Sequence, residues 1–349
     1  MAATAERTLS RRELNRALLA RQLLLERART PLPRALERIG GLQAQYAPSM
    51  YVGMWSRLEG LERDQVTRAL ERKSVIQGTL LRSTIHLVSR GDYWPFAVGT
   101  RQARRERWLR SHRGGPDARE LAAAARRLRA QLAEAPMRRA EIEELLTRPV
   151  AIGVGAWLDM VRVPPSGTWE RRRADLYAAS ENWLGPAVIE PEEAIVHLVR
   201  SYLRGFGPAT NAEIADWAGL PLGVVTRALA GLKLRRFRSE DGPELVDLPR
   251  LPLPASDTPA PVRFLPVWDA TLLVHARRTQ ILPEEYRARV FNVRTPHSVN
   301  TFLVDGAVAG TWRYEKDRIE LNSFSRLDRL TRRELDDEAE RLAAFHAAR

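Results

Sequence analysis

The chain has 349 residues, 44% hydrophobic and 28% charged, enough apolar material for two to four compact units. It has no cysteine and no run of some 18 uncharged apolar residues, which excludes disulfides, thiolate chemistry and a membrane-spanning helix. Lys plus Arg number 56 against 43 Asp plus Glu, a net charge of +13 carried mostly by arginine, and either a polyanionic partner or a GC-rich genome explains that excess.

The first expected element is a helix announced by the capping-box pattern Ser10-Arg11-Arg12-Glu13, with Leu14, Leu18, Leu19, Leu23 and Leu25 as its apolar positions. The residues before it include Glu6 and Arg7 and form no signal-like apolar region, so a cytoplasmic chain is expected. A short helix follows at 33–39, an apolar segment at 50–58, a third helix at 62–72 and strands at 75–79 and 82–88. Three helices and a strand pair are the order of a winged helix.

That order returns twice. Helical patterns at 118–132, 138–146 and 154–160 precede Val161-Arg162-Val163-Pro164-Pro165-Ser166-Gly167-Thr168-Trp169, a Pro-Gly turn between two expected strands. In the third copy an amphipathic helix over 192–203 is broken by Gly205-Phe206-Gly207-Pro208. Thr210 and Pro221 then open two further helices, and a wing spans 234–238 and 244–248. A proline-rich linker at 249–261 leads to a strand at 262–267, a hairpin turning on Asp305-Gly306 and a charged closing helix at 331–348. The expected fold is mainly α with small β-sheets (α+β). Its parts are tandem winged-helix modules at 9–90, 91–180 and 190–249 and a β-rich C-terminal domain at 262–349.

One stretch stands apart, Gly40-Gly41-Leu42-Gln43-Ala44-Gln45-Tyr46-Ala47-Pro48-Ser49. Its paired glycines and proline mark a turn, and two amides two residues apart share a side only where the backbone is extended or bent. An uncharged amide both donates and accepts, so such a pair either caps a loop or orients a water molecule or a base edge. Elsewhere, arginines cluster over 101–113 and 171–173, as phosphate contacts or as solvated faces. The expected helix at 222–232 carries only Arg227 as a basic residue, which makes it a poor recognition helix alone. The six histidines lack His-x-x-x-His spacing, and neither a Gly-rich phosphate loop nor a Gly-x-Ser-x-Gly elbow occurs. No metal and no cofactor is expected.

Five segments in order carry a resemblance: Gly41-Leu42-Gln43-Ala44-Gln45; Arg82 to Val88 with His86; Val163 to Trp169; Trp268-Asp269 to His275 and Arg278; and Val304 to Trp312-Arg313. Together they resemble the winged-helix DNA glycosylases of the AlkZ/YcaQ type, the HTH_42 superfamily, over residues 10 to 345. The resemblance implies tandem winged helices and a β-rich domain arranged around DNA. It also implies excision of N-alkylated purines, including bulky adducts and, in some members, interstrand crosslinks, in repair or in self-resistance to alkylating agents. The family motif is glutamine, an aliphatic residue, then glutamine or aspartate; Gln43 and Gln45 match the glutamine branch and are the expected catalytic pair. Arg82, Thr84, His86, Arg277, Arg278 and Arg313 are the expected DNA contacts, with Asp269 and His275 in support. The expected partner is double-stranded DNA with alkylated bases, bound by a nucleoid-associated monomer.

The chemistry suits two amides. An N7- or N3-alkylated purine is cationic and leaves neutral, so no strong acid is needed; the enzyme has to hold a water and stabilise an oxocarbenium-like sugar. The rival expectation is a non-enzymatic winged-helix DNA-binding protein or regulator.

Overall fold

The computed structural model describes residues 5–272, 279–291 and 298–348. The chain opens with β1 (Thr8–Leu9) and α1 (Arg11–Arg21), and the capping box forms: Ser10 Oγ accepts from the Glu13 amide while the Glu13 carboxylate accepts from the Ser10 amide at 2.9 Å. Then come α2 (Leu32–Ile39), β2 (Leu42–Gln43), α3 (Ala47–Trp55) and α4 (Arg63–Glu71). The expected apolar segment is the helix α3, begun by Pro48 in its first turn and buried at every position, which is why it shows no amphipathic period. The strands β3 (Val75–Thr79) and β4 (Ile85–Ser89) close the first module.

A helix absent from the sequence expectation comes next, α5 (Arg90–Ser111). Gly91, Pro95 and Gly99 obscure its pattern. Gly99 is there for packing: a Cβ would lie 2.7 Å from Leu198 and 3.1 Å from the backbone of Ala194, so the two helices cross too closely for any side chain.

The second module contains α6 (Ala118–Glu134), β5 (Met137–Arg138), α7 (Arg139–Leu145), α8 (Arg148–Gly153), β6 (Met160–Arg162), β7 (Leu176–Ala179) and α9 (Ser180–Leu184). Two expectations need correction here. Residues 154–160 are a 3₁₀ turn, Val154–Ala156, running into β6, and the second strand begins only at Leu176, beyond the Val161–Trp169 segment expected to hold both strands. The intervening loop is held by its own bonds: Gly167 N–H donates to Arg171 C=O at 2.8 Å, and Ser166 Oγ accepts from the Asp175 and Leu176 amides at 2.8 and 3.1 Å. Local side-chain bonds of this kind compete with a ladder.

The third module follows its expected order closely: α10 (Pro191–Phe206), α11 (Asn211–Ala218), α12 (Leu222–Ala230), β8 (Arg235–Ser239) and β9 (Glu244–Asp247). After the linker come β10 (Arg263–Leu265), α13 (Arg287–Val290), the hairpin of β11 (Thr301–Val304) and β12 (Ala307–Glu315), an unanticipated β13 (Arg318–Ser323) and α14 (Arg329–Ala347).

Strand pairing decides the architecture. The strand pairs of the first two modules merge into one six-stranded sheet in the order β2-β4-β3-β6-β7-β5, antiparallel throughout. A second sheet is β1-β8-β9, and a third is β10-β11-β12-β13. The first helix does not join the first module's strands. β1 pairs in parallel with β8, and Arg21 forms a fully buried bidentate pair with Asp247 of the third module, at 2.8 and 2.7 Å. Asn15 donates to the Gly306 carbonyl at 2.8 Å and Arg12 reaches Asp305 at 2.8 Å, so α1 also grips the C-terminal hairpin.

One apolar core joins α1, α5, α10 and α11 through Leu18, Phe96, Tyr202 and Trp217; a second joins α2, α3 and α14 through Leu36, Tyr51, Leu342 and Phe345. No helix among the described residues is long and apolar enough to cross a membrane.

Candidate active site

The glutamine pair owes its geometry to the turn before it. Gly40 caps α2 in the left-handed conformation (φ 79°) and Gly41 continues it (φ 76°). A Cβ on Gly41 would sit 2.9 Å from Val88, so only glycine lets the chain run onto β4. Beyond the turn the backbone is extended. Leu42 and Ala44 point inward at 3% and 2% exposure, leaving half-buried Gln43 and exposed Gln45 together on the opposite side. The Ala44 amide donates to Ile85 C=O at 2.7 Å, and Gln45 Oε1 accepts from the Ile85 amide at 3.2 Å. The second glutamine is thereby fixed to the strand edge, with its NH₂ group and one Oε1 lone pair left over.

Gln43 pairs in register with His86 of β4, which places both side chains on one side of the sheet. His86 is 3% exposed, and Gly78 faces it from the other neighbouring strand. Burial, with Arg82 nearby, pushes its pKa down to about 3. Its Nδ1–H donates to Thr84 C=O at 3.1 Å, so the ring is a neutral imidazole with Nε2 as an acceptor. Thr84 Oγ1 donates to Leu81 C=O at 3.0 Å and shapes the turn.

The other expected contacts are placed differently. Arg82, left-handed at φ 52°, donates to the Trp217 carbonyl at the end of α11; burial and the neighbouring Arg107 lower its pKa to about 10. It docks the β3–β4 turn on the third module, where the negative helix end favours a cation. Asp269 is buried in a bidentate pair with Arg57 at 2.8 and 2.9 Å and accepts from Thr271 N and Oγ1. Burial raises its carboxyl, but the Arg57 charge and these bonds prevail and hold it below the ordinary range. Arg313 is exposed on β12 and paired with Glu320 at 2.6 Å and Glu315 at 3.1 Å. His275, Arg277 and Arg278 lie outside the described residues.

Next to the motif lies a cavity of about 270 Å³ rimmed by Tyr46 and lined by Ser49, Trp169, Arg172, Tyr314 and His346, among others. It is built where α3, the 163–173 loop, β12 and the end of α14 meet. Sequence reading gives no role to Ser49 or His346, because no local pattern reports the meeting of segments so far apart in the chain. Trp169 was visible only as the end of a motif. Among the described residues, no group of three or more His, Asp or Glu gathers to hold a metal.

Comparisons with known proteins fit this arrangement. A family model described as DNA glycosylase AlkZ-like matches residues 36–345. Among solved structures, Streptomyces sahachiroi DNA glycosylase AlkZ is similar at a TM-score of 0.81 and 19% identity, over 97% of each chain. No curated protein matches by sequence. The chain belongs to the AlkZ-like DNA glycosylase family and is a hydrolytic enzyme acting on DNA, which sets aside the regulator expectation.

Proposed function

We propose that this DNA glycosylase hydrolyses the N-glycosidic bond of N-alkylated purines, cationic at N7 or N3, in duplex DNA, with Gln43 and Gln45 as its catalytic pair. The observation that carries the proposal is the placement of two uncharged amides on one side of an extended strand, beside a histidine kept neutral. A cationic purine takes the bonding electrons as the C1′–N9 bond (C1′–N9 for guanine or adenine) breaks and departs uncharged. Water oxygen bonds to C1′ and its proton passes to solvent.

In this mechanism Gln45, anchored on Ile85, accepts a hydrogen bond from the attacking water through its remaining lone pair and so orients it. Gln43 orients that water or the lesion, and the amide dipoles favour positive charge growing on the sugar. His86, too weak a base to take a proton at neutral pH, orients through Nε2. Asp269 and Arg82 act indirectly, by fixing the frame, and Arg313 contacts the DNA backbone. We assign residues 9–90, 91–180, 190–249 and 262–349 as four units acting as a monomer on one duplex.

The test is release of free base from duplex DNA carrying a single N7-methylguanine, followed by alkaline cleavage at the abasic site. Wild type should release base and Gln45→Ala should not, while binding the duplex equally well. Tight binding without an abasic site would retire the proposed substrate. The same assay on bulky and crosslinked guanine ranks the substrates.

A further inference from the structure

The cavity beside Gln45 contains a feature the water-positioning mechanism does not use. Ser49, only 4% exposed, has an Oγ with no hydrogen-bond partner, and the buried Nε2 of His346 has none either. Both residues line the cavity. Buried polar atoms are nearly always paired, and leaving one unpaired costs about 1–3 kcal/mol. Two such atoms at one aromatic cavity are the partners a ligand would have.

The walls suit a flat heteroaromatic ring. The Tyr314 and His346 rings stack at 4.3 Å, Trp169 meets His346 edge-on at 5.1 Å, and Arg172 at the rim donates to the Tyr46 hydroxyl at 3.0 Å. At about 270 Å³ the cavity falls just under the ~300–1,000 Å³ of drug-sized ligand sites, room for one bicyclic ring but not for a whole bulky adduct. A hydrocarbon ring would leave both polar atoms unpaired, whereas a purine edge satisfies them. Burial, with Arg63 and Arg172 close by, lowers the His346 pKa to about 4, so the ring is neutral. The same guanidiniums make the cavity a better host for a neutral base than for a cation, which favours the state formed on cleavage.

We infer that this cavity receives the damaged purine extruded from the duplex, its ring against the aromatic wall and its polar edge on Ser49 Oγ and His346 Nε2. Extrusion is the usual route by which an enzyme reaches a base in a duplex. The sugar then lies at the Tyr46 rim, next to Gln45. The inference rests on the alkylpurine reading above and adds where the base goes.

The experiment uses the full chain, Ser49→Ala and His346→Phe on a duplex with 2-aminopurine beside a single N7-methylguanine. Fluorescence should rise on binding as the lesion unstacks. Each variant should release base about tenfold more slowly, the worth of one hydrogen bond, with duplex affinity and Tm unchanged. Because Ser49 Oγ has no partner within the protein, a merely structural role predicts no change for Ser49→Ala. Wild-type rates in both variants, or no fluorescence change with wild type, would overturn the inference. Quenching of tryptophan fluorescence by free 7-methylguanine separates the two readings. Quenching lost in the variants, without excision by wild type, supports the purine site and retires the proposed substrate; excision without quenching overturns the site and leaves the substrate standing.

Discussion

The first and third modules run through the same succession of helices and a strand pair, and put it to opposite uses. In the third, β8 and β9 remain a hairpin: the outer edge of β8 takes only the two residues of β1, and that of β9 takes only a single bridge to Ala209. In the first, both edges of the pair are occupied: β4 takes β2 with the glutamine motif, and β3 takes β6 of the next module. Strand edges, with their unpaired N–H and C=O groups, are the resource that differs. The module that spends its edges internally acquires a rigid shelf for two amides; the module that keeps one nearly free stays a winged helix and serves as a buttress.

The sharpest way to break this contrast is on the shelf itself. Replacing both Gln43 and Gln45 with alanine should lower single-turnover excision by about 10²–10³-fold, the effect of deleting preorganised polar groups, while the salt dependence of DNA binding stays put. Arg227→Ala on α12 should leave the rate within about twofold. Equal losses would mean that chemistry is not confined to the first module.

On the buttress the expected effect is on stability. Asp247→Ala strands the buried Arg21 charge and should cost about 3–5 kcal/mol in urea unfolding, with the excision rate of the folded fraction unchanged. An unchanged urea midpoint would show that α1 contributes nothing to holding the third module.

The pH response sharpens the comparison from the other side. His86 titrates at about 3 when folded against about 6.5 when unfolded, so between those values the unfolded chain binds more protons. Its stability contribution is therefore complete above pH 6.5 and is lost as pH falls through the window, at up to about 1.4 kcal/mol per pH unit. His346, at about 4, adds a loss of the same sign. His86→Gln should flatten this acid slope measured by chemical denaturation at several pH values; an identical slope would mean that the histidine is not held neutral. The smallest effect belongs to Arg313→Ala. Its exposed ion pairs are screened by solvent and contribute little to stability, but loss of the proposed phosphate contact should reduce the salt slope of binding by about one.

How much was legible follows from the range over which each signal acts. The third module could be traced nearly residue by residue, since Thr210, Gly219, Pro221 and the Ser239–Gly242 turn are local stop and start marks. The Gln43–Gln45 pair was legible as a pattern, and its extended backbone followed from the glycine turn. The union of two strand pairs was not, because β3 meets β6 only after more than 70 residues containing the unforeseen helix α5. Arg82 and Asp269 read as site residues, yet their long-range partners, Trp217 and Arg57, turn them into fastenings. Ser49 and His346 carried no mark because the cavity they share exists only in three dimensions.

The grip of α1 has a consequence for how the chain is made. Its partners sit far along the sequence: Asp241 lies 230 positions after Arg11, Asp247 226 after Arg21, and Gly306 291 after Asn15. As the chain is made, α1 must therefore wait for these partners until the segments that carry them have been synthesised. Contacts of such separation are slow to form, and chains of this size commonly fold unit by unit as they emerge. The N-terminal helix is a latch that closes after the modules it spans, so an extension fused ahead of Thr8 should interfere with the final closure more than with the folding of any one module.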